Sequence, residues 1–134
     1  MNYKKLSIAT LFILIAVGPF ASLNASEKPV QHLNLPDVTS LEEANRVFVE
    51  TTNKLKQKTQ LDSAELQEIH IITYSLERAI AYFAQNSVGE KQLDAEKMAE
   101  LVELVHLESE NDRGTTTRRH LEEYFELAKR FSNK

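Results

Sequence analysis

The chain has 134 residues, no cysteine, and 16 basic against 20 acidic residues, which gives a formal charge of −4. Without cysteine it cannot form disulfides, thiolate metal sites or cysteine nucleophiles, and its acidic balance disfavours nucleic acid as a partner. It has three glycines, no phosphate-binding glycine loop and no catalytic serine motif, so we expect a non-enzymatic protein.

Residues 1–25 have the three parts of a secretory signal peptide. Lys4 and Lys5 precede an uncharged apolar run of 12 residues, and Ala25 supplies the small residue at the expected cleavage position. A membrane-spanning helix needs about 20 apolar residues, so we expect cleavage after Ala25, a periplasmic location and no stable membrane anchor. Removal of the two lysines leaves 14 basic against 20 acidic residues, a formal charge of −6.

Residues 26–39 contain two prolines and predict an extended lead-in, and residues 40–134 predict one helical domain. Ser40 and Glu43 have the spacing of a capping box, which predicts a helix from about residue 41 to 58. Its expected inward side chains are Leu41, Ala44, Phe48, Thr51 or Thr52, and Leu55. This apolar stripe is thin, which leaves open whether the domain forms a homodimer through its first helix.

Asp62 and Glu65 form a similar cap for a second helix, predicted from Ser63 to about Gln85. Its apolar stripe is the strongest in the chain. The stripe consists of Ile69, Ile72, Leu76, Ala79, Ile80 and Phe83. Gly89 follows and is suited to a left-handed turn.

Asp94 is suited to cap a third helix, predicted to reach about Glu110, and a fourth helix is predicted from about Thr116 to Phe131. The expected inward residues of the third helix are Met98, Leu101, Val102, Leu104 and Val105. Those of the fourth are Leu121, Tyr124, Phe125, Ala128 and Phe131. Four amphipathic helices joined by short loops predict an all-α antiparallel four-helix bundle.

Polar side chains follow the edge of the apolar stripe on the second and third helices. The first ridge consists of His70, Thr73, Tyr74 and Glu77, and the second consists of Glu103, His106 and Glu110. Steps of three, four and seven residues place each set on one side of its helix. Ser109 projects into the apolar face of the third helix, where it is placed to hydrogen-bond to Thr73 or Tyr74.

Two interpretations of these ridges stay open. If the helices are antiparallel neighbours, His70, His106 and Glu77 with either Glu103 or Glu110 form a set of two histidines and two carboxylates for zinc, copper(II), iron or manganese. Tyr74 would then be a weak ligand or a donor behind the ligands. In the other interpretation the ridges are hydrogen-bonded pairs that fasten two helices, and an unknown protein or small ligand binds elsewhere on the acidic surface.

Two segments resemble a family of small bacterial periplasmic proteins catalogued as a domain of unknown function. Residues 70–77 match a His-x-x-Thr-Tyr-x-Leu-Glu helix. Residues 102–110 match a Leu-Glu-x-Val-His-x-x-Ser-Glu helix, with Val102 in place of the first leucine. The resemblance implies a helical fold and a periplasmic location, and it implies no activity. Our preferred interpretation is a binding or interaction module, with the metal-binding bundle as the alternative.

Overall fold

The computed structural model describes residues 35–134; the predicted signal peptide and residues 26–34 of the predicted lead-in lie outside the described residues. The described chain forms four α-helices and no strand. The helices are α1 (Leu41–Lys56), α2 (Ser63–Asn86), α3 (Gly89–Glu110) and α4 (Gly114–Ser132). The prediction of an all-α four-helix bundle is confirmed. None of these four helices is long and apolar enough to span a membrane.

Consecutive helices pack side by side in opposite directions. Helix α2 packs on both α1 and α3, and α3 also packs on α4. Ser63, at the start of α2, donates a hydrogen bond of 2.9 Å to Asp112, just after α3. Lys134, just after α4, lies 3.1 Å from Glu90 at the start of α3. These contacts between opposite ends place α2, which carries His70, against α3, which carries His106, in antiparallel order.

Side chains cap the first two helices as the sequence predicts. The Ser40 hydroxyl accepts a hydrogen bond of 3.1 Å from the backbone N–H of Glu43. Asp62 accepts one of 2.9 Å from the N–H of Glu65. The Glu65 carboxylate in turn accepts from the N–H groups of Gln60 and Leu61, both at 2.8 Å. Otherwise unpaired backbone donors at both helix starts are therefore satisfied, which fixes where α1 and α2 begin.

Helix α3 begins at Gly89, six residues earlier than a helix capped by Asp94 would, and the φ of +63° at Gly89 confirms the predicted left-handed turn. The expectation that Asp94 caps this helix is wrong: Asp94 lies inside α3 and is 5% exposed. Its carboxylate lies 2.7 Å from Arg130 and 2.9 Å from Lys134. The hydrogen bonds from Arg130 and Lys134 lower the pKa of Asp94 to about 2. Asp94 therefore joins α3 to the end of α4.

The core lies between the helices and contains most of the predicted apolar residues. Its largest fully buried apolar side chains are Tyr124, Phe83, Leu55, Ile69, Leu76, Ile80, Met98, Val102 and Val105. The expectation that Leu41 and Leu104 face the core is wrong, since Leu41 is 58% exposed and Leu104 is 40% exposed. Leu41 is the first residue of α1, and the helical period does not reveal where packing ends. In α3, apolar residues occur on several faces, so the period does not single out the buried one.

Helices α1 and α4 meet through a smaller set of contacts. The hydroxyls of Thr52 and Tyr124 are 2.6 Å apart and buried. The rings of Phe48 and Phe131 pack edge to face with centroids 5.8 Å apart. An open groove of about 380 Å³ lies beside these contacts, lined by residues of both helices such as Val49 and Phe125. It contains none of the residues on the two polar ridges.

Candidate metal centre

The two polar ridges meet where α2 packs against α3. The imidazole rings of His70 and His106 have centroids 4.4 Å apart and are tilted by 47°. The ring of Tyr74 lies edge-on to both, at 4.8 Å from His106 and 5.2 Å from His70. Its hydroxyl lies 3.2 Å from Nε2 of His70. His106 and Tyr74 are buried and His70 is half-buried, so the three rings form a compact group at the edge of the core.

Thr73 connects the two helices beneath the rings. Its Oγ1 is 2.8 Å from Nδ1 of His106 and donates to the carbonyl oxygen of His70 at 2.7 Å. The same Nδ1 lies 3.4 Å from Oε1 of Glu77, which is within ion-pair distance. Residue 73 faces His106 because it stands one helical turn after residue 70, on the side of α2 that contacts α3. The hydroxyl thus fixes how the His106 ring is oriented.

Burial and neighbouring carboxylates shift the acidic groups of this region towards their neutral forms. Burial, with a smaller effect from the charge of Glu103, raises the pKa of Glu77 to about 7. Burial also raises the pKa of the Tyr74 phenol, and the charges of Glu110 and Glu77 raise it further. Both shifts have the sign that crowded, partly dehydrated acidic groups produce. A bound cation would reduce the repulsion between the neighbouring carboxylates.

Three of the predicted ligands lie close enough to share one ion. His70, His106 and Glu110 each offer one ligand atom, and these atoms all lie within 4.8 Å of one another. Glu77 and Glu103 are not part of this group. Glu77 lies behind His106, on its Nδ1 side, and Glu103 is close enough to Glu77 to act on its charge. The structure therefore divides the five predicted ligands into three that converge and two that stand beside them.

One hydrogen bond differs from the expectation. Ser109 is buried, but its hydroxyl donates to the carbonyl oxygen of His106, 2.9 Å away on its own helix. Serine in a helix interior commonly bonds back to the preceding turn in this way, because that acceptor is always within reach. The hydrogen bond from Thr73 to α3 is instead made with Nδ1 of the His106 ring.

A buried nitrogen of the cluster has no protein partner among the described residues. Nδ1 of His70 is inaccessible to solvent and makes no hydrogen bond to the described part of the chain. An unsatisfied buried polar atom costs about 1–3 kcal/mol. This unpaired nitrogen belongs to a histidine that converges with two other ligand residues. The sequence alone could not reveal it, because it depends on how the helices pack.

The groove between α1 and α4 is the feature that sequence reasoning missed. Its lining comes from two helices that are not neighbours in sequence, so no local pattern indicates it.

Comparisons with known proteins identify the chain at the level of a family. The model of a family of unknown function, DUF6746, matches residues 1–133. No curated protein and no solved structure matches the chain.

Proposed function

Because the chain belongs to this family of unknown function, we propose a function from its side chains: the protein binds one divalent transition-metal ion through His70, His106 and Glu110. The observation that carries the proposal is the convergence of three ligand atoms, from two helices, within 4.8 Å of one another. Two imidazoles and a carboxylate are the ligand types that zinc, copper(II), iron(II) and manganese accept.

The separation between ligand atoms is compatible with a modest closure around an ion. Zinc–nitrogen and zinc–oxygen bonds are about 2.0–2.2 Å, so ligand atoms around a tetrahedral zinc lie about 3.3–3.6 Å apart. From a limit of 4.8 Å, no pair has to close by more than about 1.5 Å. Glu110 is exposed and stands at the last residue of α3. Its side chain is therefore free to rotate towards the two more rigidly held histidines.

The nature of the site favours binding over catalysis. Three protein ligands leave at least one position for water or a fourth ligand, and the Tyr74 hydroxyl lies beside His70 at 3.2 Å. The Thr73 hydroxyl lies 2.8 Å from Nδ1 of His106, but Thr73 is fully buried and therefore out of reach of a substrate. We propose a metal-handling role in the periplasm, after export through residues 1–25 and cleavage behind Ala25. Mass spectrometry of the protein from a periplasmic extract tests this export. A mass that still includes residues 1–25 would refute the proposed cleavage.

A second function is favoured by the hydrogen bonds themselves. The Thr73–His106 bond joins α2 to α3, so the cluster is also suited to fasten two helices of an interaction module that acts elsewhere. Leu93, Leu104 and Leu107 are large apolar residues exposed on α3, and they supply a surface for such a module. This function predicts that both histidines contribute to stability and that no metal binds stoichiometrically.

The experiment that separates the two is calorimetric titration of untagged protein with zinc, copper(II) and manganese. We expect one ion per chain, and loss of binding in His70→Gln and His106→Gln variants whose circular dichroism is unchanged. His120→Gln, on α4 and outside the cluster, is the matched histidine control and should bind normally. Absence of saturable binding, or equal loss in the His120→Gln control, would refute the proposal.

A further inference from the structure

Thr73 is a fully buried hydroxyl that contacts both histidine-bearing segments of the cluster. It is 0% exposed. Its Oγ1 lies 2.7 Å from the backbone carbonyl oxygen of His70 and 2.8 Å from Nδ1 of His106. A carbonyl oxygen only accepts hydrogen bonds, and a threonine hydroxyl has one proton to donate. Since that proton goes to the His70 carbonyl, Oγ1 faces His106 as an acceptor.

We infer that Thr73 holds neutral His106 in the tautomer with its proton on Nδ1, so that Nε2 is the atom that α3 offers to a metal ion. In neutral imidazole one nitrogen donates and the other accepts. A nitrogen 2.8 Å from an oxygen that has no proton to give must itself be the donor. Oε1 of Glu77 lies 3.4 Å from the same Nδ1, within ion-pair distance, but makes no hydrogen bond to the described residues.

This assignment gives Thr73 a positioning role in the proposed metal site. A metal-binding histidine commonly donates its second ring N–H to an oxygen, which fixes both the tautomer and the ring orientation. Here that oxygen is in place before any ion arrives, because Thr73 is held by its own bond to the His70 carbonyl. The ring of His106 therefore needs neither a proton shift nor a rotation to present Nε2. The role in metal binding rests on the proposed function, whereas the tautomer does not.

The tautomer is measured directly from the side-chain nitrogen shifts of the metal-free, full-length protein. Long-range proton–nitrogen correlation spectra at about pH 8.5, two units above the usual histidine pKa, distinguish a protonated Nδ1 from a protonated Nε2. We expect the Nδ1–H form of His106 in the unaltered protein and also in Thr73→Ser, which keeps the hydroxyl. In Thr73→Val, which replaces it by a methyl group of similar size, we expect a shift towards the Nε2–H form. An Nε2–H form in the unaltered protein overturns the inference even if the Thr73→Val variant does not fold.

Metal titration of the same variants separates this inference from the proposed function. Loss of such a supporting hydrogen bond typically weakens metal binding 10–100-fold. We expect a zinc dissociation constant about 10–100-fold higher in Thr73→Val and within about threefold of the unaltered value in Thr73→Ser. If the unaltered protein binds no metal, the proposed function and the metal role of Thr73 both fail, and the nitrogen shifts still decide the tautomer. If zinc binds and Thr73→Val binds it equally well, the proposed function stands and the positioning role of Thr73 is refuted.

Discussion

Removal of the Tyr124 hydroxyl tests how α1 is held against α4. Tyr124 is fully buried, and its hydroxyl lies 2.6 Å from that of Thr52, which is 6% exposed. Tyr124→Phe keeps the ring and leaves the Thr52 hydroxyl buried without this bond. An unsatisfied buried polar group of this kind costs about 1–3 kcal/mol, which corresponds to a fall in Tm of about 4–8 °C per kcal/mol in a domain of this size.

The pair is isolated by a double-mutant cycle. Thr52→Val should destabilise the protein by a similar amount, because it leaves the buried Tyr124 hydroxyl without its hydrogen-bond partner. The double variant should be destabilised by less than the sum of the two single substitutions, since neither unsatisfied hydroxyl remains in it. The expected coupling energy is about 0.5–3 kcal/mol. The assay is urea unfolding followed by far-ultraviolet circular dichroism, with equal denaturant slopes as the control for unchanged unfolding. Strictly additive effects would refute the claim that this bond joins the two helices.

Two further predictions concern the ends of the helices. A methyl group on Gly114 would lie 2.8 Å from the backbone oxygen of Leu61, so Gly114→Ala should destabilise the protein by about 1–3 kcal/mol in urea unfolding. As a control, Thr115→Ala at the neighbouring exposed residue should change stability by less than about 0.5 kcal/mol. Equal effects of the two substitutions would contradict the contact between residue 114 and Leu61. Because the pKa of Asp94 is lowered to about 2 in the folded protein, its ion pairs stabilise the fold above about pH 4 and are lost as the pH falls through 2. The stability difference between the protein and Asp94→Asn should shrink over that range, and a difference independent of pH would contradict it.

Local patterns predicted the helices where the local chemistry decides them. Helix α2 begins at Ser63 as expected because Asp62 and Glu65 satisfy its first backbone donors without help from distant residues. The start of α3 was misplaced because no side chain caps it. Asp94 resembles a cap in sequence, and the two basic residues that hold it lie 36 and 40 residues further along the chain. No local pattern reveals such a pairing.

The candidate site was predictable to the level of helix faces. The spacing of His70 and His106 among their neighbours placed both at the edge of the core, where the structure has their rings 4.4 Å apart. Which carboxylate accompanies them was not predictable. Glu110 converges with the histidines, whereas Glu77 lies beside Nδ1 of His106. That difference depends on the relative shift of two helices along each other, which packing of the whole core determines.

The proposed metal site is tested most directly by following the histidines of the helices during a zinc titration. The side-chain nitrogen shifts of His70, His106 and His120 can be observed in one sample, so His120, on α4 and outside the cluster, is an internal control. We predict that the nitrogens of His70 and His106 change together and stop changing at one equivalent of zinc, while those of His120 stay constant. Constant shifts at His70 and His106, or changes that begin at His120, would contradict a metal centre between α2 and α3.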